Sequence, residues 1–135
     1  MKRQTYFLGL FVLFFLFLTG NVNAQESNLD VDLANYILMC ESGGKESAIN
    51  WEDAKGRKDK QPSRGPWQFY WGTWLKYAKI YKVIPEDAKL TLKQVNDYMH
   101  DIVYSSAVAH GMIAEGIAED HWKRCTNLYW HFANL

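Results

Sequence analysis

The amino-acid sequence predicts a mainly α-helical single domain, and three observations carry that expectation. Apolar residues recur at helical spacing in several segments. Turn-forming residues crowd into one stretch, residues 45–66, after the first of these segments. No segment alternates apolar and polar residues as a half-buried strand does, and no internal repeat is present.

Lys2 and Arg3 precede an apolar run from Tyr6 to Leu18, shorter than the roughly 20 residues of a membrane-crossing helix. Thr19 and Gly20 end the run. Val22 and Ala24 then occupy the small-residue positions that signal peptidase reads before Gln25. Residues 1–24 therefore read as a secretory signal peptide, with an uncleaved anchor as the alternative. No Cys follows the run directly, which argues against a lipoprotein signal. Residues 25–135 are the expected mature domain, periplasmic or secreted, with no stable membrane insertion after cleavage.

The first helix is expected from Asp30, as N-cap, to Glu41, with Leu33, Ala34, Ile37 and Leu38 on one face. Ser42-Gly43-Gly44 ends it, because Gly takes the left-handed backbone that a helix terminus favours. Residues 45–66 contain Gly56, Pro62, Gly65 and Pro66 and read as an irregular loop, its charges from Lys55 to Lys60 forming a solvated face. A second helix is expected from Trp71 to Tyr81, closed off by Pro85. Thr91-Leu92-Lys93-Gln94 has the capping-box pattern, and the helix it opens carries Val95, Tyr98, Met99, Ile102 and Val103 on one face as far as about Met112. The last helix spans about Glu119 to Phe132.

Charge narrows the choice of partner. The leader takes two of the 15 basic residues, against 15 acidic ones, which leaves the mature part at a formal charge of −2. That balance gives no electrostatic reason to bind nucleic acid or an anionic membrane. All six Trp lie in the mature part, some for the core and the rest open to stacking on sugar faces. Trp51 and Trp71 fit either role. Cys40 and Cys125 are two cysteines in an exported chain and read either as one disulfide or as two separately buried thiols. His100, His110, His121 and His131 stand apart along the chain, without metal-site spacing.

The chemistry concentrates between Cys40 and Trp74. Glu41-Ser42-Gly43-Gly44 is followed by Ala48-Ile49-Asn50, then by Ser63-Arg64-Gly65-Pro66-Trp67-Gln68-Phe69, then by Thr73-Trp74. This series resembles the lysozyme-like superfamily, most closely the soluble lytic transglycosylase type of domain, whose pattern is E-S-G-G, A-x-N, S-x-G-x-x-Q-F and T-W. Further on, Trp122 and Tyr129 keep that family's seven-residue spacing, with Trp130 where it has Asn. The resemblance implies a lysozyme-like single domain with a substrate cleft, no cofactor and no metal. It implies Glu41 as the catalytic acid, Ser63 and Gln68 holding polar groups of the substrate, Tyr129 facing Glu41 from the last helix, and Trp67 and Phe69 in the core.

A glycosidic oxygen leaves poorly until protonated, so cleavage needs a carboxylic acid that keeps its proton near neutral pH. A Glu at the edge of an apolar core meets that need, because desolvation penalises its anion. The apolar stretch Tyr36-Ile37-Leu38-Met39 leads to Glu41 through Cys40. Many lysozymes carry a second carboxylate at the point where this chain has Ser63. Glu46, Glu52 and Asp53 are near in sequence, but none matches that point. A two-carboxylate mechanism is therefore poorly supported, and a lytic transglycosylase is expected. Its single Glu is expected to cleave the MurNAc-GlcNAc β-1,4 bond of peptidoglycan glycan strands to 1,6-anhydro products, with an envelope-spanning assembly as the expected partner. A hydrolytic lysozyme and a non-catalytic wall-binding protein are the alternatives.

Overall fold

The computed structural model describes residues 29–135, so the expected signal peptide, residues 1–24, lies outside the described residues. The chain divides into two units, Met1–Asp32 and Leu33–Leu135. Of the first unit only residues 29–32 are described, and they are helical. Asp30 thus stands within helical backbone, not at the N-cap position expected for it. Everything that follows concerns the second unit.

That unit is mainly helical. Helix α1 covers residues 33–42 within it, followed by β1 (Ile49–Asn50) and β2 (Ser63–Arg64). Helices α2 (Trp71–Ile80), α3 (Leu92–His100), α4 (Ile102–Ala114), α5 (Ala118–His121) and α6 (Lys123–Ala133) complete it. Among the described residues, no helix is long and apolar enough to cross a membrane.

α1 buries Leu33, Ala34 and Ile37, the face its periodicity predicts. It ends at Gly43 and Gly44, with φ of 65° and 75°, whose amides turn back to the carbonyls of Met39 and Leu38. The loop after it is more ordered than its composition suggests. β1 and β2 pair antiparallel, Ile49 with Arg64 and Asn50 with Ser63. Two residues per strand are too few to show alternation, so this pairing had no legible period. The Gly65 amide extends the pairing by donating to the Ala48 carbonyl at 2.8 Å.

The capping box forms as expected, with the Thr91 hydroxyl and the Gln94 side chain each accepting from the other's backbone amide. The single helix expected from there to Met112 is two helices. Asp101 leaves the helical backbone at ψ 120°, and its carboxylate accepts from the amides of Val103 and Tyr104, opening α4. Across this break the apolar stripe no longer continues: Val95 and Met99 are buried, but Val103 is 71% exposed. The last expected helix is also split, at Trp122. Its indole donates to the Trp67 carbonyl at 2.9 Å, a buried bond that holds the ring at the expense of helical backbone there.

The core gathers around aromatic rings. Trp67 and Phe69 are buried, as expected, and both pack against Trp122. The Trp67 indole donates to Ser106 Oγ at 2.9 Å. Trp74 stacks on Tyr98. Each such ring removes a large apolar area from water, about 3–5 kcal/mol on truncation to Ala.

Candidate active site

Glu41 sits on the last turn of α1, half-buried. Two ties fix that turn. Cys40 is joined to Cys125 of α6, with Cα atoms 5.9 Å apart. The Ser42 hydroxyl donates to the Pro66 carbonyl at 2.6 Å, binding the end of α1 to the segment that follows β2. The bridge sulfur of Cys125 lies 2.9 Å from Glu41 Oε1. Cys40, Glu41 and Cys125 form a close cluster of the residue types that hold metals. The two sulfurs are bonded to each other, however, and offer no thiolate to a cation.

Burial raises the pKa of Glu41 above the ordinary carboxylate value. Arg124 on α6 opposes the shift, and the negative charge of Asp53 adds to it. The apolar cover is not the neighbour that sequence order suggests, since Met39 is 63% exposed. The bridge to α6 lies against the carboxyl instead.

The other expected site residues fall in different places. Ser63 is buried, and its hydroxyl donates to Asp53 Oδ2. Gln68 adopts a positive φ of 52°, and its side-chain amide donates to the Gly65 carbonyl at 2.8 Å, so that nitrogen is spent within its own turn. Tyr129 lies one turn beyond Cys125 on α6 and meets the Tyr36 ring edge-on, with centroids 5.5 Å apart. Cys125 of α6 thus touches Glu41, and Tyr129 packs against Tyr36 of α1.

The three loop carboxylates divide by role. Glu46 Oε1 accepts from the Ile102 amide at the start of α4 at 3.1 Å, and the Glu46 carbonyl contacts His100 Nδ1. Glu52 pairs with Lys55 in solvent. Asp53 alone of the three reaches β2, through Ser63. The expected solvated face from Lys55 to Lys60 is exposed but knitted together. Asp59 accepts from the Tyr70 hydroxyl and from the Trp71 indole, which holds its own pKa down, and Arg57 lies over the Tyr70 ring. Trp51, 60% exposed, lies just past β1 with the Arg64 guanidinium over its ring. A hollow of about 930 Å³ lies between the end of α2 and Pro85, and no predicted site residue lines it.

No protein-family model, curated protein or solved structure matches the chain.

Proposed function

We propose that this chain is a lysozyme-like, exported enzyme that cleaves the glycan strands of peptidoglycan as a lytic transglycosylase, with Glu41 as its acid. One observation carries the reading: Glu41 is a half-buried carboxyl with a raised pKa, set against the disulfide where α1 meets α6. Such a group keeps the proton that a glycosidic oxygen must receive to leave. In this reaction Glu41 protonates the leaving oxygen while the N-acetyl group of the substrate stabilises the positive charge on the anomeric carbon. The 6-hydroxyl of the muramic acid then bonds to that carbon, and its proton returns to Glu41. One carboxyl serves both steps. Trp51, exposed on the loop, suits stacking on a sugar ring.

A second reading, hydrolysis on the same scaffold, gains support from one contact. Ser63, read from sequence as the point where a second carboxylate is missing, bonds to the carboxylate of Asp53. Digestion of purified peptidoglycan in water enriched in heavy oxygen separates the two. Transglycosylation yields unlabelled 1,6-anhydro muropeptides, and hydrolysis places the label at each new reducing end. Tight binding of glycan strands with no cleavage at all would leave only a non-catalytic wall-binding protein.

A further inference from the structure

We propose that the hollow at the end of α2 is a docking site for an acidic segment of a partner protein, one that presents a large apolar side chain between carboxylates. The inference is independent of the glycan-cleaving reading of Glu41.

The hollow, of about 930 Å³, is lined by one continuous stretch of chain, from Lys76 to Glu86. Its shape follows from the way α2 stops. The Val83 amide donates to the Ala78 carbonyl at 2.8 Å and the Lys82 amide to the Lys79 carbonyl at 3.1 Å, the paired bonds of a Schellman turn. This turn folds the chain back toward Pro85. It leaves Ile80 51% exposed and Val83 half-buried in the lining, so apolar surface faces water inside a recess.

The charge of that recess is one-sided. Lys76, Lys79 and Lys82 line it, with Glu86 as the one acidic lining residue. Among the described residues none of these three lysines forms an ion pair. The chain as a whole balances 15 basic against 15 acidic residues, so the positive recess is a local feature and not a consequence of composition. Lys82 is the most telling of the three. A Schellman turn needs one left-handed residue, which is normally Gly, yet here Lys82 takes that position at φ 57°. A side chain there strains the backbone. Lys79 already complements the dipole in the last turn of α2, so the helix end does not call for a second cation. The turn keeps an ammonium group where Gly would fold better.

Apolar lining and unpaired cations together define the occupant. A bilayer surface is too flat to enter a hollow, and a polyanion without apolar groups would leave Ile80 and Val83 in water. An acidic peptide segment meets both demands. Its carboxylates accept from the lysine ammonium groups, and its apolar side chain is buried against Ile80 and Val83.

The test uses the disulfide-bonded protein and random peptides displayed on phage. Selection should enrich peptides with Asp or Glu on both sides of a large apolar residue. A selected peptide should shift the amide NMR signals of residues 76–86. It should bind about 10-fold more weakly to Lys79→Glu/Lys82→Glu and to Ile80→Ser. Lys82→Gly separates docking from folding, and it decides the matter should the charge reversal fail to fold. This variant should melt about 4 °C higher than the parent and bind the peptide about 3-fold more weakly. Failure to enrich such peptides, or binding that survives these substitutions, overturns the proposal. Equal binding of poly-glutamate, or of phosphatidylglycerol vesicles, overturns it in favour of a general anion-binding face. Self-association of the parent that the charge reversal abolishes overturns it in favour of a second copy of this chain.

Discussion

Glu41 Oε1 lies 2.9 Å from Cys125 Sγ, against the bridge that joins Cys125 to the residue immediately before Glu41. A disulfide sulfur carries no hydrogen, so the carboxyl is the sole donor available to this contact, and only in its protonated form. Burial favours the protonated form of the carboxyl.

Replacing Glu41 with Gln should lower peptidoglycan cleavage by about 10²–10⁴-fold while leaving the fold intact, because Gln matches the shape and cannot give up a proton as an acid. Circular dichroism and turnover on the same sample check both halves. Turnover near that of the parent would remove Glu41 from the mechanism.

The raised pKa of Glu41 also makes a stability prediction. A carboxyl with a folded-state pKa above its unfolded value contributes stability that is complete below the unfolded value. That contribution is lost as pH rises through the folded value. The parent should accordingly lose stability relative to Glu41→Gln between pH 4 and pH 8, with the variant melting higher at pH 8 than its difference at pH 4 implies. Melting curves whose separation does not change with pH would show an unperturbed carboxyl.

Reduction of Cys40–Cys125, or replacement of both by Ser, should cost about 4 kcal/mol for a bridge that spans 85 residues. Activity should fall as well, since the bridge braces the turn that carries Glu41. Urea unfolding of oxidised and reduced protein measures the first effect. A change below about 1 kcal/mol would mean that the reduced chain already holds α1 against α6.

Gly65 and Gly43 both have positive φ, 77° and 65°, yet substitution should affect them differently. A Cβ on Gly65 would stand 1.9 Å from the Met99 carbonyl oxygen, while one on Gly43 meets nothing within 4 Å. Gly43→Ala should cost about 1 kcal/mol of left-handed strain. Gly65→Ala adds a backbone clash to that strain and should cost about 3 kcal/mol or more. Equal losses at the two sites would deny the close approach of β2 to α3.

Asp101→Ala should lower stability by about 1 kcal/mol, since it strips the cap from the amides of Val103 and Tyr104. Thermal melts suffice to check it. An unchanged melting temperature would indicate that water serves those amides equally well.

Local chemistry was legible in the sequence where a few neighbouring residues decide it. The stripe of Leu33, Ala34 and Ile37, the glycines that end α1, the Thr91–Gln94 box and the helical class all follow from spacing and from the backbone preference of single residues. Glu41 was singled out by its motif, and the structure adds that it is half-buried with a raised pKa. Breaks and pairings were not legible. Trp122 interrupts helical periodicity beside a bond to a carbonyl 55 residues away, and Asp101 does so by a local cap that the apolar residues on both sides of it concealed. The two-residue strands are held by register with each other, a relation between distant segments and not a property of either. The same reason explains Ser63. From sequence it marks a missing carboxylate, because Asp53 lies ten residues earlier and at no fixed offset in the motif. Only the folding of the loop, with Ala54 buried beneath its turn, brings that carboxylate onto Ser63, and the Cys40–Cys125 bridge together with the Tyr36–Tyr129 contact sets α6 against the end of α1. Spacing along the chain determined which residues could take part; long-range packing decided which of them meet.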